Sequence, residues 1–221
     1  MEDIKNWLEQ YRRTVEAAFG ERICFLGLQG SRARGEAGPD SDIDVVLVLD
    51  RLAPEDLARY RQAVAALPDR ALLCGFLSGR EELLHWSKGE LFQFYHDTTA
   101  LIGSLEDLRP LAESSAAAGE AVLNGACALY HACIHNALHG RSEEMLKELF
   151  KTAAFTLRAK HFLETGTYIP TRAELLPVLH GMDLAVLEAG ETLRQGGEVD
   201  LDALSALLLE WSGTLLRRSC R

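Results

Sequence analysis

The 221-residue sequence contains no run of about 18 apolar residues, the length that a helix needs to cross a bilayer. Its start, MEDIKNWLEQ, lacks the basic segment and following apolar segment of a secretory signal peptide. The five cysteines are odd in number and scattered, at positions 24, 74, 127, 133 and 220. This pattern is typical of reduced thiols and not of a disulfide framework. We therefore expect a cytoplasmic protein without a membrane segment.

Basic residues are also in short supply. Lys and Arg number 23 against 33 Asp and Glu, so the formal net charge is −10. A protein that grips nucleic acid through its phosphates usually needs a basic surface. The basic residues that stand out are Arg32 and Arg34 in one segment and the pair Arg217-Arg218 near the end. A nucleic-acid substrate is therefore disfavoured, and a small molecule, cationic or neutral, or a protein fits better.

One stretch, residues 30–49, carries the strongest chemical signal. Gly30-Ser31 follows a short apolar run, and Asp42 and Asp44 open a second apolar run that ends at Leu49. Residues i and i+2 of a strand point to the same face, so the two carboxylates are expected to lie side by side. Such carboxylates repel by about 1 kcal/mol even in water, and a cation relieves the repulsion. Oxygen ligands suit Mg²⁺, which also binds substrate phosphates, so the stretch predicts half of a metal–nucleotide site.

The loop between the two runs supports this interpretation. Glycine at position 30 lets the main chain approach a phosphate, and Ser31 with nearby N–H groups can donate to its oxygens. Arg32 and Arg34 are candidate triphosphate contacts, with solvated loop arginines as the alternative. A plain strand–loop–strand turn with incidental acids is a weaker interpretation, because strand, glycine, basic loop and paired acids all agree.

These residues resemble a known signature. Gly30-Ser31, ten intervening residues, Asp42-x-Asp44 and an apolar strand are similar to the motif of the DNA polymerase β-like nucleotidyltransferase superfamily. The loop GSRARG before SDID is commoner in its small bacterial members. The resemblance implies that a hydroxyl attacks the α-phosphorus of an NTP such as ATP and that pyrophosphate leaves. It also implies Mg²⁺ at Asp42 and Asp44, in a one- or two-metal arrangement, with the phosphates held at Gly30 and Ser31.

A third carboxylate of the resembled family has no obvious counterpart. The strand where it is expected reads ALLCGFLS, with Cys74 at the relevant place and no acid. Glu90, Asp97 or a residue of the helical half could supply the third acid, or it could be absent. We take Asp97 as the candidate third catalytic residue. Absence would favour the alternative function, a catalytically inactive nucleotide-binding, regulatory or antitoxin-like protein.

The periodicity of apolar residues predicts an α+β protein in two domains. We expect a small mixed β-sheet nucleotidyltransferase domain with flanking helices at 1–112, and an all-α helical bundle domain at 113–221. The first domain is predicted to contain helices at 3–19 and 54–67 and strands at 22–28, 42–49, 71–77 and 98–102. The second is predicted to contain helices at 121–139, 142–164, 171–180, 182–195 and 200–218. The small-residue stretch ESSAAAG (113–119) is expected to separate them.

The order of sheet domain and bundle resembles the aminoglycoside nucleotidyltransferases, whose bundle contributes acceptor contacts. Four aromatic residues could form a pocket wall beside His96 and Asp97, or the core between the domains: Trp86, Phe92, Phe94 and Tyr95. His131, His135 and His139 recur on one predicted helix with Cys127, but a straight helix does not converge four zinc ligands, so a polar seam is preferred. Lys147, Lys151, Arg158 and Lys160 are weaker candidates for phosphate or acceptor contacts. The sequence leaves the acceptor, the base of the NTP and homodimerisation open.

Overall fold

The computed structural model describes residues 4–38, 41–197 and 199–219. The chain divides into two compact units. The first comprises the described residues up to Trp86 together with Asp97–Arg109, and the second comprises Ser87–His96 and the described residues from Pro110 onward. The boundary expected from the sequence, between 112 and 113, does not separate 87–96, which packs with the second unit.

The first unit is built on a four-stranded sheet. Its elements in chain order are α1 (Ile4–Phe19), β1 (Ile23–Leu28), α2 (Gly30–Ala33), β2 (Ile43–Leu49), α3 (Pro54–Ala63), β3 (Leu73–Gly79), α4 (Arg80–Leu84) and, after the second-unit segment, β4 (Thr99–Ile102). The strand order is β3-β2-β1-β4. Strand β1 runs antiparallel to β2 and β4, while β2 and β3 are parallel. The predicted small mixed sheet is confirmed.

The hydrophobic cluster beneath α1, called here the α1 core, lies on one face of the sheet. Helix α1 places a large apolar side chain at every fourth residue, so that all of them lie on one side of the helix: Trp7, Tyr11, Val15 and Phe19. They cluster with alternate residues of β2, namely Ile43, Val45, Leu47 and Leu49. Because strand side chains alternate between faces, Asp42 and Asp44 are directed to the opposite face.

Helix α3 is shorter than predicted. It ends at Ala63 and continues as a 3₁₀ turn, Val64–Ala66, instead of reaching residue 67. Leu67 has extended backbone angles, φ −68° and ψ 142°. The cause is Pro68, since the ring of a proline disfavours a helical conformation in the residue before it.

The second unit is helical. Apart from Asp97 and Arg109, it takes in α5 (Lys88–Asp97), α6 (Arg109–Ala112), α7 (Ser115–His135), α8 (Glu143–Thr165), α9 (Arg172–Leu175), α10 (Gly181–Arg194) and α11 (Leu201–Ser219). Its core draws buried side chains from α7, α8, α10 and α11, including Leu129, Leu157, Val186 and Trp211. The predicted all-α domain after the sheet is confirmed. None of the helices in the described residues is long and apolar enough to cross a membrane.

Two details of the helical half differ from the prediction. Helix α7 begins at Ser115, within the stretch predicted to separate the domains, because Ser114 caps it by accepting from the N–H of Ala117 at 3.1 Å. The helix predicted at 171–180 is a single turn, Arg172–Leu175, followed by a 3₁₀ turn that contains Pro177. Alanine favours a helix and proline interrupts it, so both differences follow from local residue types.

Candidate functional site

Residues 29–34, called here the glycine loop, follow β1 and contain the short helix α2. The turn at the start of this loop requires a glycine. Gly30 has φ +72°, a region that residues with a Cβ rarely adopt. A Cβ at this position would also overlap Oδ2 of Asp44. The loop is joined to the same strand by a hydrogen bond from the Gln29 N–H to the Asp44 carbonyl oxygen, at 2.6 Å. The Gly30 main chain and the Asp44 carboxylate, 14 residues apart, are therefore neighbours, as the sequence predicts.

The paired acids occupy the start of β2. Asp42 directly precedes the strand and is exposed, and Asp44 is its second residue and is half-buried. Ile43, between them, is fully buried against α1 on the other face. This alternation leaves both carboxylates on the face that the α1 core does not cover. Two carboxylates beside a glycine turn form an oxygen donor set of the kind that Mg²⁺ accepts.

Arg32 is engaged with the loop itself. Its Nε donates to the carbonyl oxygen of Asp42 at 2.9 Å, and its Nη2 donates to that of Ser41 at 2.6 Å. The guanidinium thus holds the main chain that leads into the paired acids. The sequence analysis interpreted Arg32 as a triphosphate contact and did not predict this role. Residue types alone do not show which carbonyl oxygens of a loop will accept a hydrogen bond.

Arg34 lies in a buried group of charges. Its Nε donates to Glu36 at 3.0 Å, and its Nη1 donates to Asp97. The side chains of Arg34 and Asp97 are only 6% and 8% exposed. Burial by itself would lower the pKa of Arg34, but the charges and hydrogen bonds of Asp97 and Glu36 outweigh it, and the pKa is raised. Arg34 therefore remains a cation, held by two carboxylates.

Asp97 does reach the glycine loop, although it is 63 residues away from Arg34. Its neighbour Thr98 accepts a hydrogen bond from Nε2 of Gln29 at 2.6 Å. The sequence analysis named Asp97 as a candidate residue of the site. It did not name Gln29, Glu36 or Thr98. Nothing in their residue types distinguishes them from ordinary polar residues of a loop.

Strand β3 places a cysteine beside the paired acids. In the parallel ladder of β2 and β3, Asp44 pairs with Cys74. Strand β3 contains no acid. In the described ranges, no group of three or more His, Cys, Asp and Glu residues is arranged to hold a metal ion. Among the described residues, Asp42 and Asp44 are the acids at the start of β2.

Comparison with known proteins matches the sheet half to a family. Residues 8–90 match the family model described as Nucleotidyltransferase domain. The predicted resemblance to the polymerase β-like nucleotidyltransferases is confirmed. Comparison with curated protein sequences finds no significant match.

Among solved structures, the chain is similar to the spectinomycin adenyltransferase AAD(9) from Enterococcus faecialis, solved with ATP and spectinomycin. The TM-score is 0.61 at 12% identity, with 96% of this chain and 99% of that chain covered. At this identity the likeness shows the fold, and it agrees with the predicted sheet-then-bundle layout. A toxin–antitoxin structure with AMP-PNP has a TM-score of 0.36 at 19% identity, with 47% of this chain and 79% of that chain covered, which is too low to support an argument.

The helical unit has a pocket of about 400 Å³. Helices α5, α7 and α8, together with Tyr168 from the segment after α8, line it with aromatic, amide and charged side chains, including Glu90, Phe92, Gln93, Asn124 and Lys151. Gly125 of α7 lies so close to Thr156 of α8 that a Cβ would overlap the threonine hydroxyl. Of the basic residues considered from the sequence, Lys151 is the one that lines this pocket.

His96 belongs to the aromatic core of the helical unit. Its ring stacks on Tyr168 with centroids 4.1 Å apart and an interplanar angle of 12°, and it also contacts Phe92. Its Nε2 is buried without a hydrogen-bond partner within the described residues. Burial lowers the pKa of His96 to about 4, which Glu113 only partly opposes. The ring is neutral at pH 7.

The histidine series at 131, 135 and 139 does not continue along one straight helix. Helix α7 ends at His135, and residues Asn136–Gly140 form a π-type turn. The rings of His135 and His139 lie 5.2 Å apart in an edge-to-face arrangement. In the described part of the chain no three potential ligands converge, so the preferred interpretation, a polar seam, remains.

Proposed function

We propose that the protein is a Mg²⁺-dependent nucleotidyltransferase that transfers an NMP group from an NTP to a hydroxyl of a small molecule or protein. The observation that carries this proposal is the contact between Gly30 and Asp44. It brings a main-chain turn fit to approach phosphates next to a carboxylate fit to bind a cation, within a nucleotidyltransferase domain.

Each residue has a separate task in this proposal. Asp42 and Asp44 would hold Mg²⁺, which neutralises phosphate charge and lowers the pKa of an attacking hydroxyl when bound. Gly30 and Ser31 contact the β- and γ-phosphates. Arg32 keeps the start of β2 in place through the carbonyl oxygens of Ser41 and Asp42. Positioning and charge neutralisation then provide most of the rate enhancement, as in phosphoryl transfer generally.

The acceptor in this proposal is not a nucleic acid. The net charge of −10 opposes binding to a polyanion, whereas it favours a neutral or cationic molecule. The solved relative binds spectinomycin together with ATP, and a small hydroxyl-bearing molecule of comparable size is the first acceptor class to screen.

A second candidate is a protein that binds Mg²⁺ and nucleotide without turnover and acts as a regulatory or antitoxin-like partner. Cys74 favours it, because a thiol stands opposite Asp44 where a third carboxylate was expected. Two carboxylates suffice to bind a Mg²⁺–nucleotide complex. They leave open which group accepts the proton of the attacking hydroxyl.

Thermal unfolding with Mg²⁺ and each NTP in turn tests the proposal. A nucleotide at a hundredfold excess over its Kd stabilises the protein by about 2.7 kcal/mol, which raises the Tm by about 5–10 °C. The shift is expected in the wild type and in the control Glu81→Gln, an exposed acid, and not in Asp42→Asn/Asp44→Asn. Pyrophosphate release with hydroxyl acceptors then separates the candidates. Binding without release for any acceptor supports the second, and no shift with any nucleotide contradicts both.

A further inference from the structure

Two consecutive residues hold both ends of the glycine loop. Gln29, the first residue of the loop, donates to Thr98, and Arg34, at its far end, donates to Asp97. The packing behind this connection is tight, since a Cβ on Gly27 would lie 2.8 Å from Cγ2 of Thr98. The conformation of residues 29–34 therefore depends on residues 97–98, which are more than sixty positions away along the chain.

We propose that Asp97 is a positioning residue that holds the phosphate-contacting loop in shape through Arg34, and that it is neither a metal ligand nor the base of the reaction. The proposal deepens the proposed function and rests on it as far as nucleotide binding is concerned. The sequence analysis assigned Asp97 as a catalytic acid and Arg34 as a triphosphate contact. In this proposal the two residues instead form one ion pair that positions the loop.

The charges support this assignment. Arg34 carries one positive charge and contacts two carboxylates, Asp97 and Glu36, so the group as a whole carries a net negative charge. Its cation is already neutralised and is poorly placed to attract a triphosphate. The planar guanidinium contacts both partners at once through Nε and Nη1, and this geometry fixes the orientation of the side chain in a way that lysine cannot reproduce.

Burial gives the ion pair its effect on the loop. With side chains 6% and 8% exposed, neither Arg34 nor Asp97 can be solvated in place if its partner is removed. Removal of Asp97 leaves Arg34 with Glu36 but takes away a buried charged partner, which is unfavourable, so the segment that carries Arg34 is expected to move toward water. For Arg34 that segment is the glycine loop. An exposed ion pair would not have this consequence.

Hydrogen exchange of the nucleotide-free protein tests the proposal without relying on catalysis. The amides of residues 29–36 are expected to exchange about tenfold faster in Asp97→Asn and in Arg34→Lys than in the wild type. Asp107→Asn is the matched control, because Asp107 also pairs with an arginine, Arg80, but is 65% exposed. If Asp97→Asn and Arg34→Lys are both folded and the amides of residues 29–36 exchange at the wild-type rate in both, the proposal is overturned.

Kinetics or binding then separates positioning from catalysis. We expect Asp97→Asn to raise the KM or Kd for Mg²⁺–NTP about tenfold with kcat changed less than about threefold, and the double variant Asp97→Asn/Arg34→Lys to be no worse than the poorer single variant. A fall in kcat of about a hundredfold at unchanged KM, with the Arg34 change adding to it, would make Asp97 catalytic and contradict the proposal. If the wild type binds no nucleotide, the proposed function fails, while the exchange result still decides the role of Asp97.

Discussion

The two units use their buried polar side chains for different purposes. In the sheet unit, Arg34 and Asp97 form an ion pair that holds the glycine loop, of which only Ala33 packs against the apolar core among the described residues. In the helical unit, Asp183 of α10 accepts from Trp211 Nε1 at 2.7 Å and pairs with Lys160 at 2.6 Å. That carboxylate joins α8, α10 and α11 inside the packed core.

This difference indicates what mutations in each unit should change. A polar group that positions a loop next to the candidate site is expected to affect ligand binding, because the loop carries the groups proposed to contact the phosphates. A polar group inside a helical core affects the free energy of unfolding, because its removal leaves buried partners without a hydrogen bond.

The largest effect is expected for Gly30→Ala. Alanine at φ +72° costs about 1–2 kcal/mol, and the overlap with Asp44 brings the loss in unfolding free energy to about 3–4 kcal/mol. Thermal shift with Mg²⁺–NTP should disappear. Gly35→Ala is the control, since Gly35 has the same φ of +72° but nothing within 4 Å of its Cβ position. It should lose stability only modestly and keep the nucleotide shift, and an equal loss in both variants would show that Asp44 contact is unimportant.

Asp183→Ala should destabilise the helical unit by about 3 kcal/mol, because Trp211 and the largely buried Lys160 lose a charged partner. Urea unfolding followed by tryptophan fluorescence measures the change, and the NTP-dependent shift should persist at a lower Tm. Glu164→Ala removes the other partner of Lys160, a carboxylate that is 54% exposed, and should cost less than about 0.5 kcal/mol. Loss of nucleotide binding in folded Asp183→Ala would break the comparison.

His96 should make stability depend on pH. Its folded pKa of about 4 lies below the ordinary value of 6.5, so the unfolded chain binds the proton more tightly between these values. The stability that the neutral ring of His96 provides is fully present above pH 6.5. As the pH falls toward 4, the free energy of unfolding decreases by about 2 kcal/mol, once partial exposure of the ring is allowed for. His96→Phe should flatten unfolding curves measured across this range. The exposed control His135→Gln should leave the slope unchanged, and a persistent slope in His96→Phe would assign it to other groups.

The smallest effect is expected at a helix cap. Ser114→Ala removes the acceptor for the Ala117 N–H and should lower the unfolding free energy by about 1 kcal/mol. Ser115→Ala, the next residue and the first in the helix, should be neutral or slightly stabilising. If urea unfolding gives the same free energy of unfolding for Ser114→Ala and Ser115→Ala, then Ser114 does not cap α7 and the helix starts elsewhere.

Much of the fold could be predicted because its signals are local. The spacing of Trp7, Tyr11 and Val15 predicts α1, and the apolar run that follows Asp42 predicts β2. The prediction was wrong where a local rule was misjudged, as at Ser114, where a serine was interpreted as part of a linker and is a helix cap. Strand order could not be predicted from local signals, since β3 and β4 lie at opposite edges of the sheet and pair with strands that are distant in sequence.

The sequence by itself determined the components of the site. Asp42 and Asp44 share a face because strand residues alternate, and Gly30 adopts a positive φ because it has no Cβ. The tertiary structure alone decided which charges meet. From the sequence, Arg34 could contact either a phosphate or a carboxylate. In the structure, the pairing of β4 with β1 places Asp97 beside it. Burial of that ion pair depends on chain segments far apart in sequence, and no local pattern of residues encodes it.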